Sequence, residues 1–188
     1  LYHQLVSVYK KTQADAKQLI LMYLPSKGIR SGPFFATPAA LALQSIISDF
    51  IFTCPSLLAA KTFSTLGIEV YSYLFAKTPS CIFDNIPPAM LPVLGAAHSF
   101  ELPFVFDVNP SEKKCQRDAL DQALSLRIVD YWQSVVQGQP PTTALAGGIT
   151  QWPQYDGTTR QTVWLDAPSD GIVTNWRVRK CAAIGVPI

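Results

Sequence analysis

The sequence predicts an α/β fold in which helices pack on a sheet, and three observations carry that prediction. Residues 68–76 are rich in β-branched and aromatic side chains and apolar on both faces, as in a strand covered from both sides. Residues 118–136 place Leu120, Ala123, Leu124, Ile128, Tyr131, Trp132 and Val135 on one helical face. The chain is 48% hydrophobic and 15% charged, which is apolar enough for a packed core and argues against disorder. At 188 residues, one domain or part of a larger one is expected.

The remaining elements follow along the chain. Leu5, Val8, Tyr9, Leu19, Ile20 and Tyr23, interleaved with Lys and Gln, read as an amphipathic helix over 1–23 that Pro25, Gly28, Gly32 and Pro33 end. A second helix starts at Pro38, a tolerated first-turn proline with Thr37 as its cap, and runs through Phe50. Pro55 kinks or restarts it before a helix over 56–66, which Gly67 closes. After the strand, residues 77–110 hold six prolines and read as a long ordered loop, too apolar for a linker and of the kind that carries function. Gly138 and Pro140-Pro141 terminate the helix over 118–136. A small-residue surface loop over 142–150, a short strand over 162–165 and a terminal helix or turn over 174–180 complete the chain, without internal repeats.

Bulk charge excludes some functions. Fifteen basic and thirteen acidic residues leave a net +2 with no basic stripe, so nucleic acid is not an expected partner. The longest apolar runs, such as residues 39–47, are broken by Gln44 and Ser45 and fall short of the roughly 18 to 20 residues a bilayer needs, so no transmembrane segment is expected. The chain begins Leu-Tyr-His without a visible targeting segment, and its true start is expected upstream. Cys54, Cys81, Cys115 and Cys181 show neither a Cys-x-x-Cys pair nor neighbouring histidines, which disfavours zinc and leaves disulfides or buried thiols.

One residue has the setting of a base. His98 follows the small residues 95–97, stands three residues before Glu101, and is succeeded by the apolar run 102–106. Small neighbours admit a substrate to the imidazole, and an adjacent core holds its loop rigid just beyond a strand end. A structural histidine satisfied by backbone bonds fits the same composition.

The segment Gly95-Ala96-Ala97-His98-Ser99-Phe100-Glu101-Leu102 resembles the Gly-x-x-His-[Gly/Ser]-x-[Glu/Asp]-[Leu/Ile] motif of type B carboxylesterases, lipases and cholinesterases, which carries their triad histidine. Flanking pieces match in order. Asp49 to Pro55 is similar to the family's Asp-x-x-Phe-x-Cys-Pro helix, and 70–75 to its next strand. Tyr131-Trp132 with Gly138, Trp152-Pro153-Gln154-Tyr155-Asp156 and Val163-Trp164-Leu165-Asp166 resemble its Tyr-Trp helix, Trp-Pro-x-Tyr loop and final strand. The likeness spans about 33–181 and departs after Cys181, where Ala182-Ala183-Ile184-Gly185 replaces an aromatic pair.

That resemblance implies the C-terminal part of an α/β-hydrolase fold, helices on the last strands of a mostly parallel sheet, with residues 1–188 as the C-terminal third of the domain. It implies His98 as catalytic base, with Glu101, Gly95 and Ser99 in supporting positions. It pairs Cys54 with Cys181, a long loop to which the chain-entropy model assigns on the order of 5 kcal/mol, and so implies a secreted protein in an oxidising compartment. Cys81 and Cys115 bracket the histidine loop and are candidates for a second bridge by position alone. The family's serine lies in a Gly-x-Ser-x-Gly elbow, which does not occur here, and no segment of 1–47 resembles its acid loop or Gly-rich oxyanion segment. A lone base neither forms an acyl-enzyme nor stabilises an oxyanion, so the chain alone is expected to be inactive. A small-molecule or lipid ester is the implied substrate of the full-length enzyme, with no metal or organic cofactor. A non-catalytic adhesion or binding relative of the same fold is the alternative.

Overall fold

The computed structural model describes residues 13–24, 37–82, 86–109, 116–186 and 188. Among them the chain forms two compact units, Leu1–Leu66 with Arg177–Ile188, and Gly67–Trp176.

The first unit is helical. Helix α1 (Gln13–Tyr23) buries Ala16, Leu19 and Tyr23. The expected helix over 1–12 lies outside the described residues. Helix α2 (Pro38–Ser48) starts as the sequence predicts, with the Thr37 hydroxyl accepting from the Ala40 amide at 3.2 Å. A π-helical turn (Asp49–Thr53) carries α2 directly into α3 (Cys54–Thr65), with Pro55 in the first turn of α3. The chain therefore restarts without breaking, because the wider π turn absorbs the proline's missing donor. This corrects the sequence expectation on length: Pro38–Thr65 is one helical run of 28 residues, long and apolar enough by composition to cross a membrane. It nevertheless carries a buried carboxylate, Asp49, which accepts from the Tyr23 hydroxyl at 2.7 Å and faces the Arg177 guanidinium at 3.5 Å. Helix α7 (Val178–Ala183) closes the unit, its start set by Arg177 in the left-handed region (φ 61°), four residues later than the sequence suggested. The Cys54–Cys181 disulfide ties α7 to α3 with Cα atoms 5.5 Å apart, as the resemblance implied.

The second unit is a small mixed sheet covered by a long helix. Strand β1 (Tyr73–Phe75) runs parallel to β2 (Thr162–Leu165), which pairs antiparallel with β3 (Gly171–Val173). The strand expected over 68–76 is thus shorter than its composition suggested, and Tyr73 and Ile68 are exposed. Among the described residues β1 has a ladder neighbour on one edge only, β2. Strand β3 was not expected; at three residues, opened by a glycine, it carries too little periodicity to read. Within 77–110, Pro88–Met90 is a 3₁₀ turn, α4 is Leu91–Leu94 and α5 is Leu102–Val105. Pro92 and Pro103 sit in the first turns of these helices and start them, where the sequence reading took prolines as loop markers. Helix α6 (Ala119–Val136) matches expectation, with the Asp118 carboxylate capping the Asp121 amide at 2.8 Å. The core gathers Phe75, Ile82, Leu91, Phe100, Phe104, Leu124, Ile128, Tyr131, Trp152, Val163 and Leu165 from β1, β2, α4, α5, α6 and the loops between them.

Candidate functional site

His98 stands in a tight turn between α4 and α5, within the second unit. The turn begins at Gly95, whose amide closes α4 on the Leu91 carbonyl at 2.8 Å with φ 62° and ψ −140°. A Cβ there would meet only Thr78 Oγ1, at 4.0 Å, so the backbone angle and not crowding demands glycine. The Phe100 amide then donates to the Ala97 carbonyl at 3.1 Å, and Ser99 takes the left-handed conformation at φ 68°. A glycine or short polar residue tolerates that state best, which gives a physical reason for the Gly/Ser alternative at this position of the motif. Glu101 O accepts from Phe104 and Val105 amides at 2.9 and 3.0 Å, opening α5.

Two aromatic anchors fix the turn from below. Phe100 and Phe104 are buried, and the Phe104 ring lies 5.0 Å from that of Phe75 on β1. His98, two residues from Phe100, is exposed. The loop was expected to leave a strand end directly; short helices flank it instead, because its prolines nucleate them. Glu101 is half-buried, and Tyr73 on β1 has its phenol pushed up by burial first and by the Glu101 charge second. Gly95, His98, Ser99 and Glu101 therefore share one turn braced against β1.

Both shoulders of this turn are clamped to α6. The buried Asp121 carboxylate accepts from the Ser80 amide and hydroxyl at 2.7 and 2.6 Å and faces Lys77 Nζ at 3.3 Å, holding the chain after β1. Beyond α5, the Ser125 hydroxyl lies 2.9 Å from both the Phe104 carbonyl and Asp107 Oδ1. Arg117 donates to the same Asp107 oxygen at 2.8 Å, and this guanidinium holds the Asp107 carboxyl below its ordinary range. The second bridge expected for this region falls on Cys115, outside the described residues; Cys81 is buried and disulfide-bonded.

A larger polar structure escaped sequence reasoning. Arg127 and Asp170 form a fully buried pair, Nε to Oδ2 at 3.2 Å, and Arg127 also donates to the Asp166 carbonyl at 2.7 Å. The Tyr131 hydroxyl donates to Asp170 at 2.7 Å and accepts from the Ile149 amide at 2.6 Å. Burial, ahead of the Asp170 carboxylate, pushes this phenol up to about 12. Gly148 lets the 142–150 loop close over the pair: a Cβ there would stand 2.2 Å from Thr143 Cγ2 and 3.1 Å from Arg127 Cδ. One signal was available, since Arg127 falls on the apolar face with Leu124, Ile128 and Tyr131, where an unpaired cation is costly. Among the described residues no group of three or more His, Cys, Asp or Glu is placed to hold a metal ion.

The sequence profile of the carboxylesterase family matches residues 4–183. Acetylcholinesterase of Gallus gallus is 28% identical over 141 residues, 75% of this chain and 17% of that protein. Acetylcholinesterase-1 of Trittame loki is 30% identical over 142 residues, 74% of this chain and 23% of that protein. Carboxylesterase 5A of Mus musculus is 29% identical over 142 residues, 72% of this chain and 23% of that protein. The chain spans about a fifth of the length of the curated relatives it matches.

Proposed function

Because this chain belongs to the carboxylesterase family, whose fold is the α/β-hydrolase, we propose that it is the C-terminal part of a serine carboxylic-ester hydrolase and supplies the base of its triad, His98. One observation carries the reading: an exposed imidazole on a turn whose backbone needs Gly95 and Ser99 in left-handed states and whose next residues are pinned in the core. Such a turn holds the ring in place while leaving it open to a reactant.

In the full-length enzyme His98 takes the proton from the serine hydroxyl as that oxygen attacks the ester carbonyl. It then gives the proton to the departing alkoxide, and the alcohol leaves. Finally it deprotonates the water that attacks the acyl-enzyme and returns that proton to the serine oxygen as the acyl–serine bond breaks and the acid leaves. Glu101 supports the turn and adds a negative charge beside it. The serine, the acid and the oxyanion donors come from a longer chain of which 1–188 is part of one α/β-hydrolase domain. A small-molecule or lipid carboxylic ester is the substrate, no metal or organic cofactor takes part, and the Cys54–Cys181 bridge suits an extracellular protein.

Assay of a short-chain aryl ester tests this. The 188-residue chain should show no turnover above buffer, and the longer protein should be active. Turnover by the 188-residue chain that survives His98→Ala would mean that another group does the chemistry.

A further inference from the structure

We propose that Asp121 and Ser125, two buried polar residues of α6, are positioning residues for His98: they hold the turn that carries it from both sides. The inference rests on His98 being the base. Both side chains are fully buried, and they stand four residues apart on one helical face. That face otherwise sends Leu124 and Ile128 into the core. Burying a carboxylate or a hydroxyl there costs free energy unless its bonds are made, and apolar side chains would pack the face as well. What the two polar groups add is register, because a hydrogen bond fixes which atom lies against which.

The bonds go to the two segments that flank the turn, all within the second unit. Upstream, Asp121 Oδ2 accepts from the Ser80 amide and hydroxyl at 2.7 and 2.6 Å, and its Oδ1 faces Lys77 Nζ at 3.3 Å. Between those two partners lies Thr78, whose Oγ1 is the one group that a Cβ built on Gly95 would meet, at 4.0 Å. Fixing 77–80 therefore fixes the wall beside which the turn begins. Downstream, the Ser125 hydroxyl lies 2.9 Å from the Phe104 carbonyl, and the Phe104 amide donates to the Glu101 carbonyl at 2.9 Å, three residues after His98. The second neighbour of that hydroxyl, Asp107 Oδ1 at 2.9 Å, is itself held by Arg117 at 2.8 Å. The two anchors are separated by about 6 Å of helix axis, so α6 sets where the two sides of the turn stand. Misplacing a reacting group by about 1 Å costs on the order of a hundredfold in rate, which makes this register matter to a base.

A double-mutant cycle in the longer protein tests the proposal, with kcat for a short-chain aryl ester counted per serine titrated by a fluorophosphonate, so that unfolded molecules do not enter. Ser125→Ala should lower kcat about tenfold to a hundredfold and leave KM within about twofold, the pattern of an interaction that serves the transition state alone. Asp121→Asn, which keeps the shape but sets an amide against Lys77, should act in the same direction and carries the same cycle if Ser125→Ala does not fold. The deciding readout is the His98→Ala background supplied with free imidazole, where the base no longer depends on the turn. There Ser125→Ala should change the imidazole-dependent rate by less than about twofold, since a residue that acts through His98 has nothing left to act on. An equal loss in both backgrounds would overturn the proposal and make the two residues general supports of the fold; so would an unchanged kcat in both single variants. Full activity of His98→Ala without imidazole would remove the base assignment and this proposal with it, an outcome distinct from either of those.

Discussion

The two units solve one problem, holding helices together around a buried carboxylate, by different means. In Leu1–Leu66 with Arg177–Ile188, Asp49 meets a tyrosine and a partly exposed arginine, and a covalent bridge between Cys54 and Cys181 does the rest. In Gly67–Trp176, Asp170 meets Arg127 and Tyr131 with both charges out of water, and packing of α6 on the sheet completes the unit. A bridge stabilises largely by restricting the unfolded chain, whereas a buried pair is retained because either partner alone would be far worse. The first unit should therefore tolerate polar substitutions that the second cannot.

The sharpest test of that contrast is Asp170→Ala or Arg127→Ala. Each leaves a buried charge without its partner and should lower the stability of the second unit by roughly 3 to 5 kcal/mol, read from denaturant unfolding followed by Trp132 and Trp152 emission. Amide exchange in α3 should stay unchanged. Second in size, Cys54→Ala with Cys181→Ala should cost the first unit about 2 to 5 kcal/mol, with faster exchange in α3 and α7 and none in α6. Exchange that rises in both units together would dissolve the comparison.

Legibility in the sequence divided along physical lines. Helix α6 by its apolar face, and α2 with Thr37 and Pro38, were readable because periodicity and capping are local. The histidine turn was readable as a motif, yet the reason for its glycine and serine is a backbone angle that no composition displays. Short elements were lost: β3 is too brief for a pattern, and α4 and α5 hide behind prolines that start helices as readily as they end them. The Arg127–Asp170 pair joins residues 43 apart, and nothing in either neighbourhood names the other.

Smaller effects sharpen the picture of the turn. Gly95→Ala forces an L side chain into a glycine conformation and should cost on the order of 1 to 3 kcal/mol, seen as a lower unfolding midpoint of the second unit. Weakest of all is the Asp107–Arg117 pair, whose carboxylate is exposed; Asp107→Asn should cost roughly 0.2 to 1 kcal/mol and less in high salt. Its pH dependence has a defined sign. The folded carboxyl lies below its unfolded value, so its contribution is present above the ordinary carboxylate range and is lost as pH falls through the lowered folded value. An acid titration of Asp107→Asn should lose that part of the slope, and an unchanged acid limb would remove Asp107 from the account.

The claim that His98 is the catalytic base is tested most directly by chemical rescue in the longer protein. His98→Ala should reduce kcat/KM for a short-chain aryl ester by about 10⁴-fold or more, because the serine is a weak nucleophile without its base. Free imidazole added to that variant should restore part of the rate in proportion to its concentration, and none to the wild type. A His98→Ala enzyme that keeps its activity, with or without imidazole, would contradict the assignment.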